Sequence, residues 1–318
     1  MGDQLRILYA ADIHGSERCF RKWLNATKVV KPDVLIFGGD LMGKILHPIV
    51  KRNGHWQAEV FGRDLRIETE TELQELKDRL HNAGRYQVVV SPDERAAMDA
   101  SSDLVHEAFL GAARDVATNW LELADERLRD TGVRAYMMLG NDDFPELESV
   151  FGQSETVTDA EQGVVELPGG FQLVSLGYSN RTPWDSPREL DEQDLGARIE
   201  ALAAETRDPA TTIFNFHVPP IDTGIDIAAE LDASMAPVVV AGQVQTKSVG
   251  STAVRQTLER HQPVLSLHGH IHESPGMARI GRTVAINPGS EYVDGVLRYA
   301  LVTVDPKRGV RSWQLLQG

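Results

Sequence analysis

One cysteine, Cys19, stands in a chain of 318 residues. A single thiol cannot close an internal disulfide, so a disulfide-stapled fold is excluded, and a reducing cytosol is the expected compartment. Basic residues are also in short supply. Lys and Arg number 32 against 47 Asp and Glu, for a net charge of −15. That balance argues against broad electrostatic binding to nucleic acid or to an anionic membrane. No apolar run approaches the roughly 18 residues that span a bilayer; Val34–Phe37 and Val238–Val240 are strand-sized. The amino terminus lacks a basic region followed by a long apolar one, which predicts no secretory signal. Gly2 would suit myristoylation, but Arg6 stands where that signal needs Ser or Thr. Internal repeats, low-complexity tracts and Ser/Gly linkers are missing as well.

What is present is ordinary for a globular protein: 42% hydrophobic and 25% charged residues, with 27 Gly and 15 Pro. Several short apolar runs each end in a cluster of Gly, Asp, Asn or His. Leu5–Ala11 runs into Asp12-Ile13-His14-Gly15, Val34–Phe37 into Gly38-Gly39-Asp40, and Arg134–Leu139 into Gly140-Asn141-Asp142-Asp143. Thr211–Phe216 runs into His217, and Val264–Leu267 into His268-Gly269-His270-Ile271-His272. Continuous rather than alternating apolar runs predict strands covered on both faces. Helical patterns over 16–30, 69–83, 101–130 and 191–206 separate them, which implies βαβ units and a mostly parallel sheet. Hairpins are predicted at 164–176 and 277–286, and two further strands at 297–304 and 310–316. The expected fold class is α/β, with two packed mixed sheets flanked by helices. The stretch 43–131 is long for one connection, and it carries a hairpin (56–60 with 65–68), two helices and the strand 86–90. It reads as a cap-like insertion in a single domain spanning 1–318.

The strand ends carry the chemistry. Asp12 and His14 lie two apart, as do His270 and His272, and residues two apart in a strand point the same way. Asp40, Asn141 and His217 each follow a separate strand. Ligands in open α/β sheets bind beyond the carboxyl ends of the strands. If these strands are neighbours, two carboxylates, four imidazoles and one amide oxygen converge. That set is too rich for one four-coordinate zinc and suits two divalent ions bridged by a carboxylate. Manganese, iron or zinc would accept such donors.

The blocks D-x-H, G-D, G-N, a lone His and G-H-x-H, in that order, resemble the signature of the calcineurin-like metallophosphoesterases. Alone each block is weak; five in order across about 260 residues are specific. A closer resemblance, covering most of the chain, is to the Icc-related predicted phosphoesterases. It extends to Gly39-Asp40-Leu41, Gly140-Asn141-Asp142-Asp143, Phe216-His217-Val218-Pro219-Pro220 and Asn287-Pro288-Gly289-Ser290-Glu291-Tyr292. The resemblance implies a helix/sheet/sheet/helix sandwich and a dinuclear centre. Asp12, His14, Asp40 and His272 would hold one ion, and Asp40, Asn141, His217 and His270 the other, with Asp40 bridging. It also implies attack of a metal-bridging hydroxide on a phosphodiester or nucleotide-type substrate, with Asp40, Asn141 and Asp142 at the reacting centre. Asp142 is a departure, because many members carry His there to protonate or stabilise the leaving group. An ionised Asp142 would repel a phosphate, so protonation or a turn away from the site is expected, with a preference for good leaving groups.

A phosphomonoesterase or protein phosphatase is the alternative enzyme. A metal-retaining scaffold is the alternative of another class, disfavoured because all seven ligand positions are intact. The partner expected is a small phosphorylated molecule, with no membrane or nucleic acid. Asn180, Arg181 and Trp184 follow a strand near Gly177. Arg181 would suit a phosphate and Trp184 a base, although a packing role for Trp184 in a Pro-rich loop is the plainer reading. Lys247–Ser251 precedes a helical pattern and would suit an anion or simple capping by Ser251. His268 is expected to pack, Asp143 to shape its loop, and Asn287-Pro288-Gly289 to make a turn. His47, His55, His81, His106 and His261 match no block.

Overall fold

The computed structural model describes residues 4–161 and 163–318, so Gly2 lies outside it. Two six-stranded sheets form the frame. The first runs, edge to edge, through Gly309–Gln317, Arg298–Asp305, Leu5–Ala10, Val34–Gly38, Arg134–Met138 and Val157–Asp159. The second runs through Gly276–Ile280, Thr283–Asn287, Leu265–Leu267, Thr212–Phe216, Gln172–Leu176 and Val164–Glu166. The central pairings are parallel in both sheets, and the antiparallel ones are confined to the carboxyl-terminal strands and the two hairpins.

The continuous apolar runs are explained by what covers each face. Alternate residues Ile7, Tyr9, Val34, Ile36 and Met138 pack against Leu173, Ile213, Leu265, Leu267 and Ile286 of the second sheet. Their neighbours Leu8, Ala10, Leu35, Phe37 and Met137 point the other way, onto Phe20, Trp23, Trp120 and Leu121 of the helices. On the far side, Val174, Phe214 and Phe216 meet Leu195, Ile199, Val254 and Leu258 of the helices Glu192–Ala203 and Thr252–His261. The four layers are therefore helix, sheet, sheet, helix, and the central strands are covered on both faces.

The stretch 43–131 builds a four-stranded sheet in the order Arg63–Ile67, His55–Val60, Ile45–Arg52, Arg85–Val90. Ile45–Arg52 and the short helix Pro92–Ala100 were not expected; Pro48 sits inside that strand and masks its pattern. This sheet packs on Leu73, Leu76 and Leu80 of the helix Glu70–Asn82 as a core of its own. The long helix Ser102–Leu128 bridges this sheet and the frame: its Phe109 meets Tyr86 with ring centroids 5.2 Å apart, and its Ala108 packs beside Val50, Val90 and Met98. Its Ala113, Ala117, Trp120, Leu121, Ala124 and Leu128 join the outer face of the first sheet. Trp120 stacks on Phe20 with ring centroids 4.3 Å apart and an interplanar angle of 5°, and its indole N–H donates to Glu17.

Trp120→Ala removes that stack and leaves Glu17 without its indole donor. The expected cost is about 3–5 kcal/mol, read as a shift of the urea midpoint with an unchanged slope. A change below about 1 kcal/mol would show that the long helix does not depend on this contact.

Candidate metal centre

All seven predicted ligands arrive at one end of the two sheets. Asp12, His14, Asp40 and Asn141 come from the first sheet's strand ends, and His217, His270 and His272 from the second's. Asp12, His14 and His217 are fully buried, and Asp40 and Asn141 are 2% exposed. Asp12, His14, Asp40 and His272 each offer a ligand atom, all within 4.8 Å of one another, and Asp40, His217 and His270 form a second such group. Asp40 belongs to both. Its Oδ2 lies 3.6 Å from His14 Nε2 and 3.4 Å from His217 Nε2. Asp12 Oδ1 lies 3.6 Å from His272 Nε2 and 3.8 Å from His217 Nε2.

The donor set fits divalent ions. Atoms bound about 2.0–2.2 Å from a common ion stand roughly 3.0–3.5 Å from each other, close to the spacing seen across these pairs. The Nε2 atoms of His14 and His272 face each other at 3.1 Å. Three buried polar atoms at this end of the sheets, His14 Nδ1, Asn141 Oδ1 and His217 Nε2, have no hydrogen-bond partner. Buried polar atoms are rarely left so, and two of the three, Asn141 Oδ1 and His217 Nε2, are the atoms expected to coordinate. Imidazole nitrogens with carboxylate and amide oxygens suit manganese, iron or zinc.

The backbone that presents these groups differs from the expected strand ends. The strands stop at Ala10, Gly38 and Leu267. Asp12, His14, Asp40 and His270 then adopt φ of 56°, 41°, 53° and 66°. The two-residue pairs therefore converge through left-handed turns rather than through strand alternation. Non-glycine residues enter that region at a cost of order 1–3 kcal/mol each and cluster at functional sites. The loops also approach one another closely. A Cβ on Gly140 would collide with the Asp40 carboxylate, and one on Gly269 would fall 2.6 Å from Ala11 Cβ and nearer still to Asp12.

Hydrogen bonds lace the loops together. The amides of Asp12, His14 and Gly15 donate to the carbonyls of Gly39, Asp40 and Leu41 at 3.0, 3.1 and 2.8 Å. Asp143 accepts from the amides of Gly140, Leu41 and Met42 at 2.7, 2.9 and 2.7 Å, so one carboxylate ties the Asp40 loop to the Asn141 loop. His268 sits outside both ligand groups. Its Nδ1 donates to the carbonyls of Phe216 and Val218 at 2.8 and 3.0 Å, gripping the backbone on both sides of His217. Asn287 and Ser290 do the same for the first group: Asn287 Nδ2 donates to Ile271 O at 2.8 Å and Ser290 Oγ to Asp12 O at 2.6 Å. Tyr292 lays its ring 4.6 Å from that of His14. The run 287–292 is thus more than a turn.

Burial opposes ionisation of Asp40, but His217 and His14 beside it hold its pKa well below the usual carboxylate range. Burial and the field of His217 push His270 down to about 3, leaving a neutral ring at physiological pH. His217 goes the other way. Burial alone would lower it, yet the carboxylates of Asp40 and Asp12 and the carbonyl of Gly38 bring it up to about 9. Its Nδ1 donates to Gly38 O at 2.7 Å, which directs Nε2 toward Asp40.

Asp142 is not turned away. It forms an ion pair with Lys44, its Oδ1 accepts from Ser186 Oγ at 2.5 Å and from Asn141 Nδ2 at 3.1 Å, and its amide donates to Asp40 Oδ1 at 3.0 Å. Burial and Asp40 raise its pKa while Lys44 and Ser186 oppose them. The expected repulsion of a phosphate is therefore offset by an adjacent ammonium. Burial works against the charge on Lys44, but Asp40 and Asp142 raise its pKa and keep it protonated. Lys44 and Ser186 belong to no motif. The signal available was Lys44 four residues past Asp40, next to an unexplained acid at 142.

Arg181 is already paired, with Asp191 at 3.0 Å and Asp185 at 3.7 Å. The helix start after Lys247–Ser251 is capped by Ser251 and filled by Glu192, which accepts from the amides of Thr252 and Ala253 at 3.1 and 2.8 Å. Trp184 is 67% exposed, so the packing role expected for it fails.

No protein-family model matches the chain. An uncharacterized protein of Methanocaldococcus jannaschii, MJ1162, is 28% identical over 120 residues, which is 37% of this chain and 48% of that protein. The match thus spans about half the relative's length. Among solved structures, one overlays on 99% of both chains with a TM-score of 0.56 at 15% identity. TT1561 of Thermus thermophilus overlays with a TM-score of 0.54 at 12% identity, over 99% of this chain and 98% of that one. These overlays show a shared overall fold, two packed mixed sheets between helices, and in this chain the motif loops lie together at one end of it.

A proton on His217 Nε2 blocks that lone pair, so an ion must displace it. Because the folded-state pKa is raised to about 9, the competing proton is present throughout the neutral range and departs only as pH rises through that value. Manganese affinity of the metal-free protein is expected to rise about tenfold per pH unit between about pH 6.5 and 8.5. Calorimetry in buffers of different ionisation enthalpy would register the released proton. A flat affinity over that range would contradict the assignment.

Proposed function

We propose that this protein is a dinuclear-metal phosphoesterase acting on small phosphodiester or nucleotide-type substrates. In this reading Asp12, His14, Asp40 and His272 hold one divalent ion, and Asp40, Asn141, His217 and His270 hold the other. The observation that carries it is Asp40, a buried carboxylate common to two ligand groups. Manganese, iron and zinc are the ions the donors favour. Bound ions would supply Lewis acidity and an activated water.

The chain's own residues do the rest. The neutral ring of His270 offers its lone pair without a proton to shed. Asp143 and His268 fix the loops that carry Asp40, Asn141 and His217. Lys44 presents a positive charge where an anionic phosphoryl oxygen would sit, and Asp142 with Ser186 holds that ammonium in place. The stretch 43–131, which delivers Lys44, belongs to the same proposal as an insertion in a single domain. No helix among the described residues is long and apolar enough to cross a membrane; a cytosolic location is proposed on the lone free thiol of Cys19.

One observation favours a second reading. Asp142 in place of His argued against alkyl monoesters, but Lys44 restores a cation that would pair with a dianionic monoester. Phosphomonoester hydrolysis is therefore the alternative.

Hydrolysis of an aryl phosphodiester and the matching monoester by manganese-loaded protein separates the two. Diester turnover is expected to dominate. In Asp40→Ala it should fall at least about a thousandfold, with metal content dropping below two ions per chain. Near-normal turnover in that variant would defeat the dinuclear assignment, and monoester turnover alone would promote the second reading. Lys44→Met is expected to raise KM about tenfold with little change in kcat, and Lys44→Arg to restore most of it. An unchanged KM would remove Lys44 from substrate binding.

A further inference from the structure

A cavity of about 590 Å³ opens directly beside the metal centre, with His270 in its wall. Trp184, Ile221, Leu231, Met235 and Ile271 give it an apolar interior. Neither of its two side walls belongs to the main sheets. One is the loop 181–188, and the other is the arm 221–250, folded as the paired strands Ile227–Ala229 with Thr246–Ser248 and Val239–Val240 with Gln243–Val244.

Both walls are built rather than loose. Arg188, 1% exposed, donates to Gly140 O at 3.1 Å and to Glu161 Oε2 at 2.6 Å, which fastens the loop to the Asn141 turn. Glu189 accepts from the amides of Thr182 and Ser186 at 2.9 and 3.0 Å. In the arm, the buried Asp226 accepts from the amides of Asp222, Thr223, Gly224 and Gly250 at 2.9, 3.0, 3.0 and 3.3 Å. Trp184 is 67% exposed on an otherwise anchored loop, and Met235 of the arm is 42% exposed. An indole held out in water beside a cavity gains from a flat partner. The same loop also supplies Ser186 to Asp142, so its position is tied to the reacting centre.

We propose that this cavity is the subsite for a flat aromatic ring, aryl or nucleobase, carried by the phosphorylated substrate, with Trp184 as its stacking wall. The proposal rests on the phosphoesterase reading, because His270 joins the ring's cavity to the place where the phosphoryl group would lie. Charged side chains of both signs, Lys247 and Arg181 with Glu192, Asp232 and Glu273, complete its lining. Met235, polarisable and unbranched, lines the same cavity from the arm and suits a second contact with a ring.

Phosphonates test this without turnover, since their P–C bond resists hydrolysis. The manganese-loaded protein is titrated with methylphosphonate, phenylphosphonate and a nucleoside 5′-phosphonate, by calorimetry and by tryptophan fluorescence. Phenylphosphonate should bind about tenfold more tightly than methylphosphonate and quench the fluorescence. Trp184→Ala should abolish both the preference and the quench, and Met235→Glu should reduce the preference. Tighter binding of the nucleoside phosphonate than of phenylphosphonate identifies the ring as a base; the reverse order identifies a simple aryl group. Equal affinities for the methyl and phenyl compounds, or a preference that survives both substitutions, overturn the subsite. Failure of the phosphoesterase reading looks different: no phosphonate then binds in a manner abolished by chelation, and the subsite falls with it.

Discussion

The carboxylate of Asp40 sets the terms for the rest of the site. It is buried, it stays ionised because imidazoles from both sides stabilise its charge, and it is common to both ligand groups. A carboxylate in that position must be approached within about 4 Å by side chains from several loops, and each approach has a backbone consequence. Asp12, His14, Asp40 and His270 take left-handed conformations, and Gly140 and Gly269 leave no room for a Cβ. Four such residues would carry strain of several kcal/mol in sum. That strain persists only where the surroundings over-determine it. Asp143, His268, Asn287 and Ser290 do so, each making at least one side-chain hydrogen bond to the backbone of a loop that carries a donor residue.

The two-sheet frame follows from the same constraint. Donors for one ion group come from both sheets: Asp40 from the first, His217 and His270 from the second. The spacing between donors is therefore set by how the sheets pack. The layer of Ile7, Tyr9, Ile36 and Met138 against Leu173, Ile213 and Leu267 acts as a spacer for the centre, although none of these residues supplies a ligand. Close-packed interiors deform little, so the ligand atoms are held near coordinating separations. Met138 shows the coupling directly: its sulfur accepts from Asn215 Nδ2 at 3.4 Å across the sheet interface, and the two residues lie just before Asn141 and His217 in their respective strands.

Much of this was legible in the sequence, for reasons that also explain what was not. Apolar runs such as 34–37 and 135–139 are continuous over their own length, so strands and their covered faces can be read locally. The ligand residues are chemically unusual for buried loop positions and arrive in a fixed order. What escaped was non-local or conformational. Left-handed φ at His14 or His270 has no residue signature, because neither is Gly or Asn. The Lys44–Asp142 pair joins positions 98 apart along the chain. Pro48 hid the strand Ile45–Arg52, and the arm 221–250 lacks both periods because its short strands expose Val239, Val240 and Val244. A Trp in a Pro-rich loop reads as packed, and only the surroundings of Trp184 reveal its exposure.

The division between frame and additions has a chemical logic. Every proposed ligand residue sits within a few positions of a core strand, where packing leaves little freedom to move it. The residues that would meet a substrate, Lys44, Ser186, Trp184 and Met235, lie in segments outside both main sheets. Such segments can change length and composition without disturbing the inter-sheet layer, so a site of this kind can keep one chemistry while its substrate varies. The loop 181–188 is where the two requirements meet. Arg188 anchors it to the Asn141 turn, Ser186 steadies Asp142, and Trp184 lines the neighbouring cavity. A change of ring that moved this loop would also shift Asp142 and Lys44, which links what the cavity holds to the charge presented to the phosphoryl group.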